Sequence, residues 1–161
     1  MPAVGHRIRQ FFGALRPHVD AEDRADAYRY LTPAEQAVFE SMMLRDQEHG
    51  IIVFERVRDA TSAPDPQLFA AALLHDCGKG RVGLWQRVVY VLAGAPLRAR
   101  LASEHGAAWR QGFWRLLHHP RLGADAVAAT GADPAVVRMI REQDSPEPDA
   151  RLALLQAADD A

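Results

Sequence analysis

Helix-start signals recur along this sequence, and almost nothing between them reads as strand. Thr32-Pro33-Ala34-Glu35 is a capping box with proline at the first helical position. Asp65-Pro66 and Asp133-Pro134 repeat the pattern of a cap followed by proline, and Asp20 and Asp149 are further N-cap candidates. The single β-branched and aromatic run, Val88–Val91, lies inside a longer helical pattern. The chain is therefore predicted to be all-α, a compact single-domain helical fold. At 161 residues and 48% hydrophobic it can bury a core without disulfides, and its one cysteine, Cys77, could form none internally.

The spacing predicts a first amphipathic helix over Ile8–Leu15, with Ile8, Phe11, Phe12 and Leu15 on one face. A second runs from Asp20 to about Tyr30, and a third after Thr32 carries Val38, Phe39, Met42 and Met43. The next covers about Asp46 to Asp59 with Ile52, Val53 and Val57 inward. Asp65 starts an apolar helix through Leu74, and Gly78 is placed to end it. Gly83–Leu101 is helical, broken at Gly94-Ala95-Pro96. Helix resumes over Ala107–Leu117, and Pro120 opens a separate short helix to about Thr130. Asp133 and Asp149 cap the last two, with Val136, Val137 and Ile140 inward on the first of them.

The formal net charge of −2 gives no bulk electrostatic case for nucleic acid or anionic lipid. The basic N-terminus has a short apolar stretch interrupted by Arg9 and Gln10, unlike a secretion signal. No run approaches the ~20 apolar residues of a spanning helix. A cytoplasmic protein without membrane or nucleic-acid partners is expected, with a homodimer left open. Leu84–Leu92, followed by Arg98 and Arg100, reads as a core helix or a lid over a site, an interfacial helix being the minor reading.

Four segments could carry chemistry. His75-Asp76 closes the apolar run Ala70–Leu74 and precedes Cys77-Gly78-Lys79, so a core helix delivers an imidazole, a carboxylate and an ammonium group to one rim. Lys79 is the only lysine among 19 basic residues. Such groups beside a core are costly unless paired or ligated, and imidazole with carboxylate suits Zn, Mn or Fe. The plain alternative is a helix end whose His and Lys complement the dipole. His49 shares a helix face with Ile52 and Val53, where a satisfied core histidine is the commoner outcome. Asp159 lies at i+4 from Leu155 near the chain end, inward or simply solvated. His119, directly before Pro120, would project from a helix N-terminus that favours anions.

In this order the segments resemble the HD-domain superfamily of metal-dependent phosphohydrolases. Its pattern is a helix-borne His, an Ala/Leu-rich helix ending in His-Asp with a nearby Gly-Lys, and a distal Asp. Here those are His49, the run AALLHDCGK with His75, Asp76 and Lys79, and Asp159 in LLQAADDA. HHPRLGADAVAATG resembles the His-Pro-x-x-Gly element of two-metal subgroups, in which the histidine before the proline binds a second metal. The resemblance covers about residues 40–160. It implies an HD-like helical domain over 40–161, with 1–39 as a helical extension packed on it.

The resemblance implies His49, His75, Asp76 and Asp159 as ligands of a divalent Mn, Fe, Co, Mg or Zn ion, with His119 serving a second. Asp76, Lys79 and His119 become the catalytic candidates, and Lys79, Arg45, Arg81 and His118 the substrate-binding ones. His118, Glu48 and Asp46 are candidates for the general acid. The chain departs from the two-metal pattern after the next helix. A histidine is expected there, and the sequence reads Met139-Ile140-Arg141-Glu142-Gln143-Asp144, so that Glu142 or Asp144 would have to supply oxygen instead. The implied activity is hydrolysis of a nucleotide or related phosphoester through a metal-activated water. The alternative is a degenerate, non-catalytic HD-like module that binds a nucleotide or protein partner.

Overall fold

A computed structural model describes residues 17–161, and the helix predicted over Ile8–Leu15 lies outside them. The described residues are all-helical, with no strand. In chain order the helices are α1 (Ala21–Tyr28), α2 (Pro33–Ser41), α3 (Leu44–Ala60), α4 (Pro66–Leu74), α5 (Leu84–Leu92), α6 (Ala95–Leu101), α7 (Ala108–Ala128), α8 (Pro134–Arg141) and α9 (Ala150–Asp160). A 3₁₀ turn (Cys77–Lys79) follows α4. None of these helices is long and apolar enough to cross a membrane.

The predicted caps form. Thr32 accepts from the Glu35 amide while the Glu35 carboxylate accepts from the Thr32 amide, and Asp65, Asp133 and Asp149 each accept a first-turn amide. Asp20 stands at the N-cap of α1 without a side-chain hydrogen bond. The core is built around α4, which buries all seven residues from Leu68 to Leu74. Phe54 and Phe69 meet edge to face, joined by Tyr30, and Ala27 of α1, Phe39 of α2 and Leu31 between them enter the same core.

Three local expectations need correction. Ile52 is 39% exposed rather than inward. The core face of α3 is Ile51, Val53, Phe54 and Val57, so His49, Ile52 and Arg56 turn to an adjacent open face. The helix before the His-Asp pair ends at Leu74, and Gly80, with φ of 60°, supplies the left-handed backbone that closes the following turn. Gly78 has a different task. A Cβ there would lie 2.1 Å from the His119 carbonyl oxygen and 2.5 Å from the Gly123 nitrogen, so its bare backbone seats the turn against α7. Lastly, Pro120 does not open a helix; it lies inside the 21-residue α7. The Leu116 carbonyl, deprived of its usual amide donor at position 120, accepts instead from Nδ1 of His119 at 2.9 Å.

Candidate metal centre

Two close helix approaches build the site. Gly50 brings α3 against α4, where an added Cβ would meet the Leu73 carbonyl oxygen at 2.7 Å. This sets the His49 and His75 rings edge to face with centroids 5.2 Å apart. The contact of Gly78 with α7 places His119 on the other side of Asp76. The packing of α9 on α3 then carries Asp159 to the first two imidazoles. Arg56 secures that end, donating to the Ala158 carbonyl at 2.9 Å.

Carbonyl oxygens only accept, so they fix the imidazole tautomers. Nδ1 of His75 lies 2.8 Å from the Ala72 carbonyl oxygen and must carry the proton, as must Nδ1 of His119 against Leu116. Nε2 of each ring is thereby turned toward the carboxylates. His49 Nε2 lies 2.7 Å from Asp159 Oδ1. His75 Nε2 is buried and lies 3.4 Å from the same oxygen and 3.5 Å from Asp76 Oδ1, at angles poor for a hydrogen bond to either. His119 Nε2 is 3.6 Å from Asp76 Oδ1, and the other Asp76 oxygen binds the Lys79 ammonium and sits 3.9 Å from His49 Nε2.

The electrostatics are those of charges sharing a dry site. Burial opposes the charge on Asp76, but Lys79, His75, His49 and His119 outweigh it and hold the carboxyl well below the usual range. Burial likewise opposes the charge on Asp159, and His49 and His75 override it. Burial alone would lower His75, yet Asp76 and Asp159 raise it to about 9. His119 is lowered, chiefly by burial, against the pull of Asp76. Burial and the nearby Asp76 carboxylate push the Cys77 thiol up to about 12, so it stays protonated at neutral pH.

His49, His75 and Asp159 form a group that could hold a metal ion, their donor atoms all lying within 4.8 Å of one another. Asp76 borders this triad, drawn toward Lys79. The triad opens into a cleft of about 510 Å³ lined also by Arg45, Asp46, Glu48, Ile52, Arg56 and Arg87. Of the sequence-derived substrate contacts, Arg45 and Lys79 therefore face the cleft. Arg81 is exposed outside it, and His118 packs against Trp114 with ring centroids 5.0 Å apart. Glu142 pairs with Arg138 at 3.0 Å. Asp144 is exposed and acts on His119 through charge.

Sequence reasoning passed over two supports. Arg87 clamps both oxygens of the buried Asp46 at 2.7 Å each, joining α5 to α3 at the cleft wall. Buried Gln143 donates to the carbonyls of His75 and Ile140, and Gln156 on α9 donates to the Gln143 carbonyl. Two glutamines thus connect the His75 backbone to the helix bearing Asp159. Their one sequence signal is polar amides set among inward apolar residues.

Comparison with protein-family models, curated proteins and solved structures finds no match.

Proposed function

We propose that this chain is a metal-dependent phosphohydrolase of the HD-domain type, acting on a nucleotide or related phosphoester. The observation that carries the proposal is the convergence of His49, His75 and Asp159, whose donor atoms lie within 4.8 Å of one another around the buried Nε2 of His75. Two imidazoles and a carboxylate at this spacing suit a divalent cation. His49, His75 and Asp159 would hold it, with Asp76 alongside. When bound, a divalent ion acidifies water and polarises a phosphoryl oxygen.

The protein's own groups prepare the rest. The Ala72 and Leu116 carbonyls orient the His75 and His119 rings. Lys79, anchored on Asp76, and Arg45 at the cleft wall offer positive charge to a phosphate. Asp46 is clamped by Arg87 and His118 packs on Trp114, whereas Glu48 lines the cleft, accepting there from the His18 amide at 3.2 Å, and is the general-acid candidate.

A second reading, a non-catalytic module binding a nucleotide or protein partner, is favoured by Gln143. It stands in the stretch where a further imidazole was expected, and its amide is spent on backbone carbonyls. The test is elemental analysis of purified protein together with phosphate release from nucleotide mono- and polyphosphates under Mn, Fe, Co, Mg or Zn. Metal near stoichiometry and metal-dependent turnover, both lost in His75→Ala, are expected. Bound metal without turnover selects the second reading, and neither metal nor turnover removes the first.

A further inference from the structure

Helices α5 and α6 leave large apolar side chains exposed. The α5 sequence is Leu-Trp-Gln-Arg-Val-Val-Tyr-Val-Leu, yet its one buried residue is Gln86, and α6 buries none. Gln86 faces inward because its amide donates to the Trp109 carbonyl and accepts from the Gly83 amide. Leu84, Val88, Val89 and Tyr90 are half-buried, whereas Trp85 is 54% exposed, Val91 58% and Leu92 80%, and Leu97 and Trp109 are exposed beside them. Trp85 and Trp109 both set edges against Phe113, at centroid distances of 5.8 and 6.2 Å, so they belong to one surface. This overturns the expectation that Leu84–Leu92 is a core helix.

Charge is segregated to the same part of the chain. Of the eight Lys or Arg residues between Asp76 and Asp125, Lys79, Arg87 and Arg121 pair with Asp76, Asp46 and Asp125, and the other five stand against a single acid, Glu104, although the whole chain is net negative. Cations sit among the apolar groups rather than opposite them, with Arg98 stacked over Tyr90 at 4.5 Å and Arg110 over Trp109 at 5.8 Å. A second copy on this face would set like charges together. A polyanion such as RNA would use the arginines but leave Val91, Leu92 and Leu97 without a purpose. An anionic bilayer uses both: indoles and leucines enter the interface while arginines meet headgroup phosphates.

We propose that the exposed face of α5 and α6 is a docking surface for an anionic phospholipid membrane. Trp85, Leu92 and Leu97 are its apolar contacts, and Arg98, Arg100 and Arg110 its cationic border. The proposal is independent of the metal centre, with which α5 shares only Arg87.

Flotation of the full chain with vesicles tests it. The protein should float with vesicles of equal parts phosphatidylcholine and phosphatidylglycerol, remain behind with phosphatidylcholine alone, and show a blue-shifted tryptophan emission when bound. The paired substitution Leu92→Asp and Leu97→Asp, at side chains that bury little, should weaken binding about tenfold or more with unchanged circular dichroism and metal content. Arg100→Glu should weaken it in a salt-dependent way. Failure to float with the anionic vesicles overturns the proposal. So does binding indifferent to the leucine substitutions, or a dimer in sedimentation that Leu92→Asp dissociates.

Discussion

Nδ1 of His119 lies 2.9 Å from the carbonyl oxygen of Leu116, the acceptor that Pro120 leaves without its helical donor. One residue thus creates a vacancy in the helix ladder, and its neighbour fills it with the ring that faces Asp76. Pro120→Ala restores the missing amide as a competitor. The variant should gain about 1–3 kcal/mol of stability in denaturant titration. It should also lose turnover, because His119 is released from its fixed tautomer. Nitrogen chemical shifts of His119 would read the tautomer directly, and shifts identical in both proteins would refute the coupling.

Removing a convergent donor should cost more than removing a neighbour. Asp159→Asn and His75→Ala are each expected to weaken Mn binding more than about 100-fold, and Gln143→Leu about 10-fold. Titration calorimetry measures all three. Equal losses across the set would mean general destabilisation rather than ligation.

Protons and metal should compete in opposite senses. His75 is raised from 6.5 to about 9, so in metal-free protein its contribution is complete below pH 6.5 and lost as the pH rises to about 9. Asp76 and Asp159 are depressed, so theirs is present above about 3.8 and lost in acid. Metal binding requires the His75 Nε2 lone pair and expels its proton. Apparent affinity should therefore climb between pH 6.5 and 9 while metal-free stability declines. Thermal unfolding across pH, with and without Mn, checks both slopes. Calorimetry in buffers of differing ionisation enthalpy counts the released protons.

The two close approaches predict graded damage. Gly50→Ala adds a Cβ that meets the Leu73 carbonyl oxygen at 2.7 Å, and parting α3 from α4 should cost about 1–3 kcal/mol with weaker metal binding. Gly78→Ala puts a Cβ 2.1 Å from backbone on α7, with no flexible side chain to yield, and should give little folded protein. Soluble yield and denaturation midpoints separate the two.

Much of the centre was legible because its signals are local. Cap residues declare themselves within four positions, and an apolar run ending in His-Asp announces a core helix delivering polar groups to a rim. What stayed hidden depends on partners distant in sequence. Ile52 fits the inward pattern by period, yet only the crossing of α3 with α4 decides which flank is core. Pro120 resembles a helix start until a neighbouring imidazole makes its mid-helix position tolerable. The exposure of Leu92 is invisible in composition, since a buried apolar helix and an outward one share the same letters.

His49 and Asp159 meet across 110 residues of chain. An ion gripping both would act as a rivet between α3 and α9, closing a long loop much as a covalent cross-link does. Helix α9, which buries only Leu152, Leu155 and Ala158, would then yield to a protease sooner in the demetallated protein than in the loaded one.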